Sequence, residues 1–161
     1  MRSLGERLAA LLRRGDLVLL TGPLGAGKTT LVQGIGAALG VRGPVTSPTF
    51  VIARVHPALG SGPDLVHADA YRLAGRAEID DLDLDADSGD AVTVVEWGEG
   101  LAEQLAASYL QVTITVPPAA PGSGGHDPAA EPGDEPGDEP RTVVLAGHGP
   151  RWAAAALPGA T

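Results

Sequence analysis

The sequence predicts an α/β fold, a three-layer sandwich on a mostly parallel sheet with antiparallel strands added to it. Three observations carry this. The apolar run Leu17 to Thr21 leads through a glycine-rich turn into a helical stretch from Lys28 to Leu39, the strand–loop–helix opening of a wound sheet. A second apolar run, Ala91 to Val95, ends in an acid, Glu96. Residues 50–56 and 64–70 read as two strands close enough to pair as a hairpin, which adds an antiparallel member.

Taken in order, Ser3-Leu4-Gly5-Glu6 has the form of a capping box, with Ser3 as N-cap and Glu6 reaching back. Leu4, Leu8, Leu11 and Leu12 then share one helical face, and Gly15 closes that helix. Asp16 leads into the strand 17–21, and the helix from Lys28 to Leu39 is stopped by Gly40. The loop 57–63, rich in Pro and Gly, joins the hairpin strands. Residues 76–90 hold seven acids and read as a short helix and a solvated loop. A calcium loop would need Gly and Glu at fixed offsets that are missing there. Ala91 to Val95 is a strand, Leu101 to Ala107 a short helix, and Tyr109 to Val116 an alternating strand. Residues 117–140 carry seven of the 14 prolines and a tandem Gly-Asp-Glu-Pro at 133–136 and 137–140. Such a segment cannot bury apolar surface, so it reads as a disordered acidic insert between two strands. Thr142 to Leu145 is the second of those strands, and Trp152 to Leu157 forms a last helical turn or two.

Composition narrows the function. The 161 residues suit a single domain over 1–161. With no cysteine there is no disulfide framework, no thiolate zinc site and no cysteine nucleophile. The four histidines, His56, His67, His126 and His148, show no close metal-ligand spacing. No apolar run approaches the roughly 18 residues of a membrane span. Glu6 and Arg7 interrupt the first apolar stretch and make it a poor signal peptide, so a cytoplasmic protein is expected. The net charge of −9 argues against a broad face for nucleic acid. Six of the acids lie in 117–140, however, so the rest of the chain is only mildly acidic and leaves room for a small basic cleft.

The chemistry is concentrated in Gly22-Pro23-Leu24-Gly25-Ala26-Gly27-Lys28-Thr29, which matches G-x-x-x-x-G-K-[ST] in full, after a strand and at the start of a helix. This is the P-loop pattern. Glycines let successive N–H groups turn inward toward phosphate oxygens, and the helix adds its positive end. Lys28 reaches the β- and γ-phosphates as a compact charge, which explains the one lysine in a chain that otherwise uses ten arginines. The Thr29 hydroxyl can ligate Mg²⁺. A strand-end acid must complete the metal site, and both Glu96 and Asp69 fit. Ser47-Pro48-Thr49 falls where nucleotide switches place a mobile hydroxyl-bearing loop, and equally reads as a proline turn. His67 alone reads as a hydrogen-bonded histidine, and Trp97 as core or as a gate to the cleft.

Four motifs in one order raise the specificity. The P-loop, then Thr46-Ser47-Pro48-Thr49-Phe50, then His67-Ala68-Asp69-Ala70-Tyr71-Arg72, then Val95-Glu96-Trp97 resemble the TsaE family. These are small bacterial P-loop ATPases that act in making threonylcarbamoyladenosine in tRNA, and the resemblance runs from about Leu4 to Val116. It implies that Gly22, Leu24, Gly25, Ala26, Gly27, Lys28, Thr29, Thr30 and Trp97 bind ATP, with Thr29 and Glu96 as Mg²⁺ ligands. It implies a catalytic set of Lys28, Asp69 and Glu96, with Asp69 needed for hydrolysis inside the motif of His67, Tyr71 and Arg72. Ser47, Pro48, Thr49 and Phe50 would form a switch-like loop. The family works with the TsaB and TsaD proteins: the ATP-bound form docks on that pair, hydrolysis permits turnover, and tRNA is contacted indirectly if at all. Family members usually carry a strand and a Ser/Thr-containing turn ahead of the first helix, beside the adenine, whereas this sequence starts almost at that helix. The insert at 117–140 has no expected family counterpart.

Two other functions share the P-loop. A small-molecule kinase would need an acceptor pocket and a basic lid, and the candidate lid, 76–90, is acidic. A nucleotide-gated binding module would not need hydrolysis, and Asp69 and Glu96 argue for hydrolysis. A GTPase is disfavoured, because its base-specifying Asn-Lys-x-Asp needs a second lysine.

Overall fold

The computed structural model describes residues 1–48, 52–71, 89–100, 103, 106–117 and 140–158. The chain runs α1 (Arg2–Ala9), β1 (Leu17–Thr21), α2 (Lys28–Leu39), β2 (Ala53–His56), β3 (Asp64–Asp69), β4 (Ala91–Glu96), β5 (Tyr109–Thr115) and β6 (Thr142–His148). The strands form one sheet in the order β2-β3-β4-β1-β5-β6. β3, β4, β1 and β5 are mutually parallel, while β2 and β6 pair antiparallel at the two edges. This is the mixed α/β sheet the sequence predicts, with both hairpin-type pairs on the outside. Among the described residues, no helix is long and apolar enough to cross a membrane.

The central strands are buried on both faces, which is why they read as continuous apolar runs rather than alternating ones. On one face Val18, Leu20, Leu65, Val92, Val94, Leu110 and Val112 pack with Leu8 of α1 and Leu31 and Ile35 of α2. On the other, Leu17, Leu19, Val66, Ala68, Ala91 and Val95 form a second apolar cluster. α1 lies directly against α2, and glycines permit it. A Cβ on Gly5 would collide with the Leu31 carbonyl and stand 2.9 Å from the Ile35 nitrogen; one on Gly34 would collide with the Arg2 carbonyl. Two helices whose backbones touch in this way anchor the start of α2, and with it the glycine loop before it.

Four expectations change. The N-cap of α1 is Met1 with no side-chain capping bond, so Ser3 lies inside the helix and no capping box forms. α1 ends at Ala9 instead of running to Gly15. Leu11 and Leu12 continue in tight turns, their amides donating to Leu8 and Ala9 at 2.8 and 3.2 Å, and both still reach the core. The Asp16 carboxylate draws the chain out of helix by accepting the Arg13 amide at 2.9 Å. At the C-terminus, residues 150–154 make turns rather than a helix, with the Trp152 side chain buried in the core. β6 is longer than expected and runs to His148. Nearly all of the short helix and loop expected over 76–90, most of the helix expected over 101–107, and nearly all of the insert 117–140 lie outside the described residues. The described ends of that insert do connect β5 to β6.

Candidate functional site

Sheet order brings the chemistry together. β3, β4 and β1 are adjacent and parallel, so their carboxyl ends open on one edge. Asp69 pairs in register with Glu96, and Glu96 with Leu20. Side chains alternate along a strand, so His67, Asp69 and Glu96 share the face of Leu65, Val92 and Val94, the face that carries α2. The loop from Gly22 to Gly27 crosses that edge. Gly27, the N-cap of α2, has φ 97°, which a side chain would resist, and it lets the chain turn sharply into the helix. The N-terminus of α2 therefore faces the two acids, and its free amides suit an anion there.

A cleft of about 250 Å³ lies at this junction, lined by Leu24, Gly25, Gly27, Lys28, Thr29, Thr30, Ser47, Asp69, Glu96 and Trp97. The Lys28 ammonium is folded back on the loop, donating to the carbonyls of Gly22 at 2.8 Å and Pro23 at 3.0 Å. It also sits 4.1 Å from the centre of the Trp97 ring, a cation–π contact. Burial lowers the Lys28 pKa from its ordinary 10.5, and the charges of Glu96 and Asp69 oppose that shift. Trp97 holds φ 60° and its amide donates to the Leu20 carbonyl at 3.0 Å. Such a backbone conformation in a bulky residue costs on the order of 1–3 kcal/mol. The turn it makes sets the indole over Lys28 and against Tyr71, whose ring lies 5.4 Å away.

The carboxylates have different surroundings. Glu96 Oε1 accepts from the Thr29 hydroxyl at 3.1 Å and from His67 Nε2 at 2.9 Å. Asp69 Oδ1 accepts the Tyr71 amide at 2.9 Å in a tight turn, and Asp69 itself is only 4 % exposed. The Thr29 hydroxyl and the Glu96 carboxylate are hard oxygen donors beside a phosphate-type cradle. They fit Mg²⁺, which takes one or two carboxylates together with substrate phosphates. Among the described residues no three His, Asp or Glu side chains gather into a cage that would hold a metal by itself.

Most of the residues singled out in the sequence meet here. Gly22 and Ala26 do not line the cleft. Ala26 is fully buried in the core, and the Gly22 carbonyl holds Lys28 instead. Leu24 stands on the rim, 93 % exposed. Ser47 lines the cleft, and Pro48 is buried with its carbonyl accepting the Ile52 amide at 2.8 Å. Thr49, Phe50 and Arg72 lie outside the described residues. Sequence reasoning missed Pro23, whose carbonyl helps hold Lys28. A main-chain acceptor leaves no side-chain pattern that would have shown it.

Comparison with known proteins shows the family. Residues 1–119 match the family described as threonylcarbamoyl adenosine biosynthesis protein TsaE. A Streptomyces coelicolor protein named tRNA threonylcarbamoyladenosine biosynthesis protein TsaE is 58 % identical over 156 residues, covering 96 % of this chain and 95 % of that one. That match is long enough to span 117–140, so the insert region is not peculiar to this chain. A Mycobacterium tuberculosis protein of the same name is 54 % identical over 119 residues, covering 70 % of this chain and 71 % of that one. The crystal structure of YdiB from Bacillus subtilis superposes with a TM-score of 0.53 at 33 % identity, covering 71 % of this chain and 68 % of that one. The chain belongs to the TsaE family of tRNA threonylcarbamoyladenosine biosynthesis.

Proposed function

We propose that the chain is a cytoplasmic Mg²⁺-dependent ATPase that acts as a switch on a TsaB–TsaD pair during threonylcarbamoyladenosine formation in tRNA. The observation that carries this reading is the meeting of Lys28, Thr29, Asp69 and Glu96 at the N-terminus of α2, in one cleft. Phosphate oxygens of ATP take the place of the Gly22 and Pro23 carbonyls as partners of the Lys28 ammonium, so the lysine is released from the loop as substrate enters. Thr29, donating its proton to Glu96, turns its lone pairs outward for a cation. Mg²⁺, when bound, neutralises charge that develops between the β- and γ-phosphates. Glu96, tied by two donors, suits that ligand role. Asp69 then orients the attacking water. The water oxygen bonds to the γ-phosphorus, the bond to the β–γ bridging oxygen breaks, the water's proton passes to a phosphate oxygen, and ADP and phosphate leave.

Slow hydrolysis in isolation is expected, because no arginine is among the described residues that line the cleft. Arg54, one candidate for a stimulating arginine, is engaged with the Thr46 hydroxyl at 2.9 Å. A charge supplied by the partner pair would then govern the rate. The net charge of −9 argues against a broad face for tRNA. The test is phosphate release from Mg-ATP, by the chain alone and with purified TsaB and TsaD, with Lys28→Ala as control. Release that rises with the partners and vanishes in the control supports the reading. Release indifferent to the partners leaves an ATPase of another purpose.

A further inference from the structure

His67 is fully buried on β3 between Val66 and Ala68 and close to Leu65, positions that a central parallel strand normally fills with apolar residues. A buried polar side chain in such a strand calls for a partner. Nδ1 has none among the described residues, and Nε2 lies 2.9 Å from Glu96 Oε1. A carboxylate oxygen only accepts, so Nε2 donates. The Thr29 hydroxyl donates to the same oxygen at 3.1 Å. With Oε1 held from two sides, the Glu96 carboxylate cannot turn about its terminal bond without losing both contacts. Oε2 remains as the oxygen for a cation or its water.

We propose that His67 is a positioning residue that orients the Glu96 carboxylate for the metal that accompanies the nucleotide, and that it touches neither metal nor nucleotide itself. The inference rests on the reading of Glu96 as a metal ligand given above. Outer partners of this kind are worth about 10–100-fold in metal affinity.

The test compares His67→Leu, which keeps the bulk and removes the donor, with His67→Gln, whose amide nitrogen can reach Glu96. The probe is a fluorescent ADP analogue, titrated first in EDTA and then with MgCl₂. His67→Leu should bind the analogue in EDTA within about twofold of the native chain, yet need about tenfold more Mg²⁺ for the metal-dependent gain, and His67→Gln should recover most of that gain. Native Mg²⁺ dependence in His67→Leu overturns the proposal while leaving the ATPase reading intact. Equal losses in both variants, already present in EDTA, mean a purely structural histidine and also overturn it. A native chain whose nucleotide binding ignores Mg²⁺ overturns both readings. Should His67→Leu fail to fold, imidazole ¹⁵N spectra of the native chain decide. The His67 Nε2 signal should be protonated and should move when Mg²⁺ joins the ADP complex, and a signal blind to the metal rejects the role.

Discussion

Asp69 and Glu96 stand side by side as register partners at the carboxyl ends of adjacent parallel strands, each only 4 % exposed. Two acids placed so closely would be redundant if they did the same work, and their contacts differ. Glu96 is held by Thr29 and His67 through one oxygen, whereas Asp69 closes a turn onto the Tyr71 amide. Asp69→Asn should therefore keep Mg-nucleotide affinity and slow hydrolysis by about 10²–10⁴-fold. Glu96→Gln should lose the Mg²⁺-dependent part of nucleotide binding as well. Calorimetric titration paired with phosphate release separates the two, and an Asp69→Asn enzyme that hydrolyses normally contradicts the division of roles.

The contact between α1 and α2 depends on two small residues. Gly5→Ala would drive a methyl group into the Leu31 carbonyl and toward the Ile35 nitrogen at 2.9 Å, both main-chain atoms that cannot move alone. The expected cost is about 1–3 kcal/mol, read as a lower urea midpoint with an unchanged slope. A neutral result would mean that the helices do not meet this closely.

Arg151 ties the C-terminal turns to the opposite end of β1 from the cleft. Its guanidinium donates to both oxygens of Asp16 at 3.0 Å and to the Leu11 carbonyl at 2.7 Å. Asp16 is 5 % exposed, so without that partner its buried carboxylate would lose two of its three donors and keep the Arg13 amide. Arg151→Met should cost about 2 kcal/mol of stability, measured by urea unfolding, and leave Mg-ADP affinity unchanged.

His56 gives stability a pH dependence. Burial lowers its pKa from 6.5, with His67 and Arg54 adding to the shift. The unfolded chain takes up a proton near 6.5 while the folded chain resists, so this contribution is complete above 6.5. It is lost as the pH falls below 6.5, until the folded-state value is passed. Melting temperatures compared at about pH 7.5 and about pH 5.5 should fall less in His56→Leu than in the native chain. An equal fall in both would remove His56 from the account.

Local pattern made much of this legible. The limits of α2 follow from Lys28 after a glycine and from Gly40, which takes the left-handed C-cap with φ 70°. β1, β4 and the hairpin of β2 with β3 follow from apolar runs bounded by turn residues. α1 was harder, because the tight turns after Ala9 keep Leu11 and Leu12 on the core side much as a longer helix would. The loop, Lys28 and Thr29 could be read as a unit because they are contiguous. Which acid serves which purpose could not, because sheet order decides what β1 and β3 bring to Glu96, and hairpins and crossovers of equal length allow other orders. The tie from His67 to Glu96 and the strained turn at Trp97 belong to that same non-local class.

The central claim is that hydrolysis, not binding alone, drives the switch. The most direct measurement is the number of threonylcarbamoyladenosine residues formed per TsaB–TsaD pair, with threonylcarbamoyl-adenylate and tRNA in excess and this chain present. ATP should support many rounds, whereas a non-hydrolysable ATP analogue, or ATP with Asp69→Asn, should stop near the first. Equal multiple turnover with ATP and with the analogue would contradict the claim and leave a module gated by nucleotide binding.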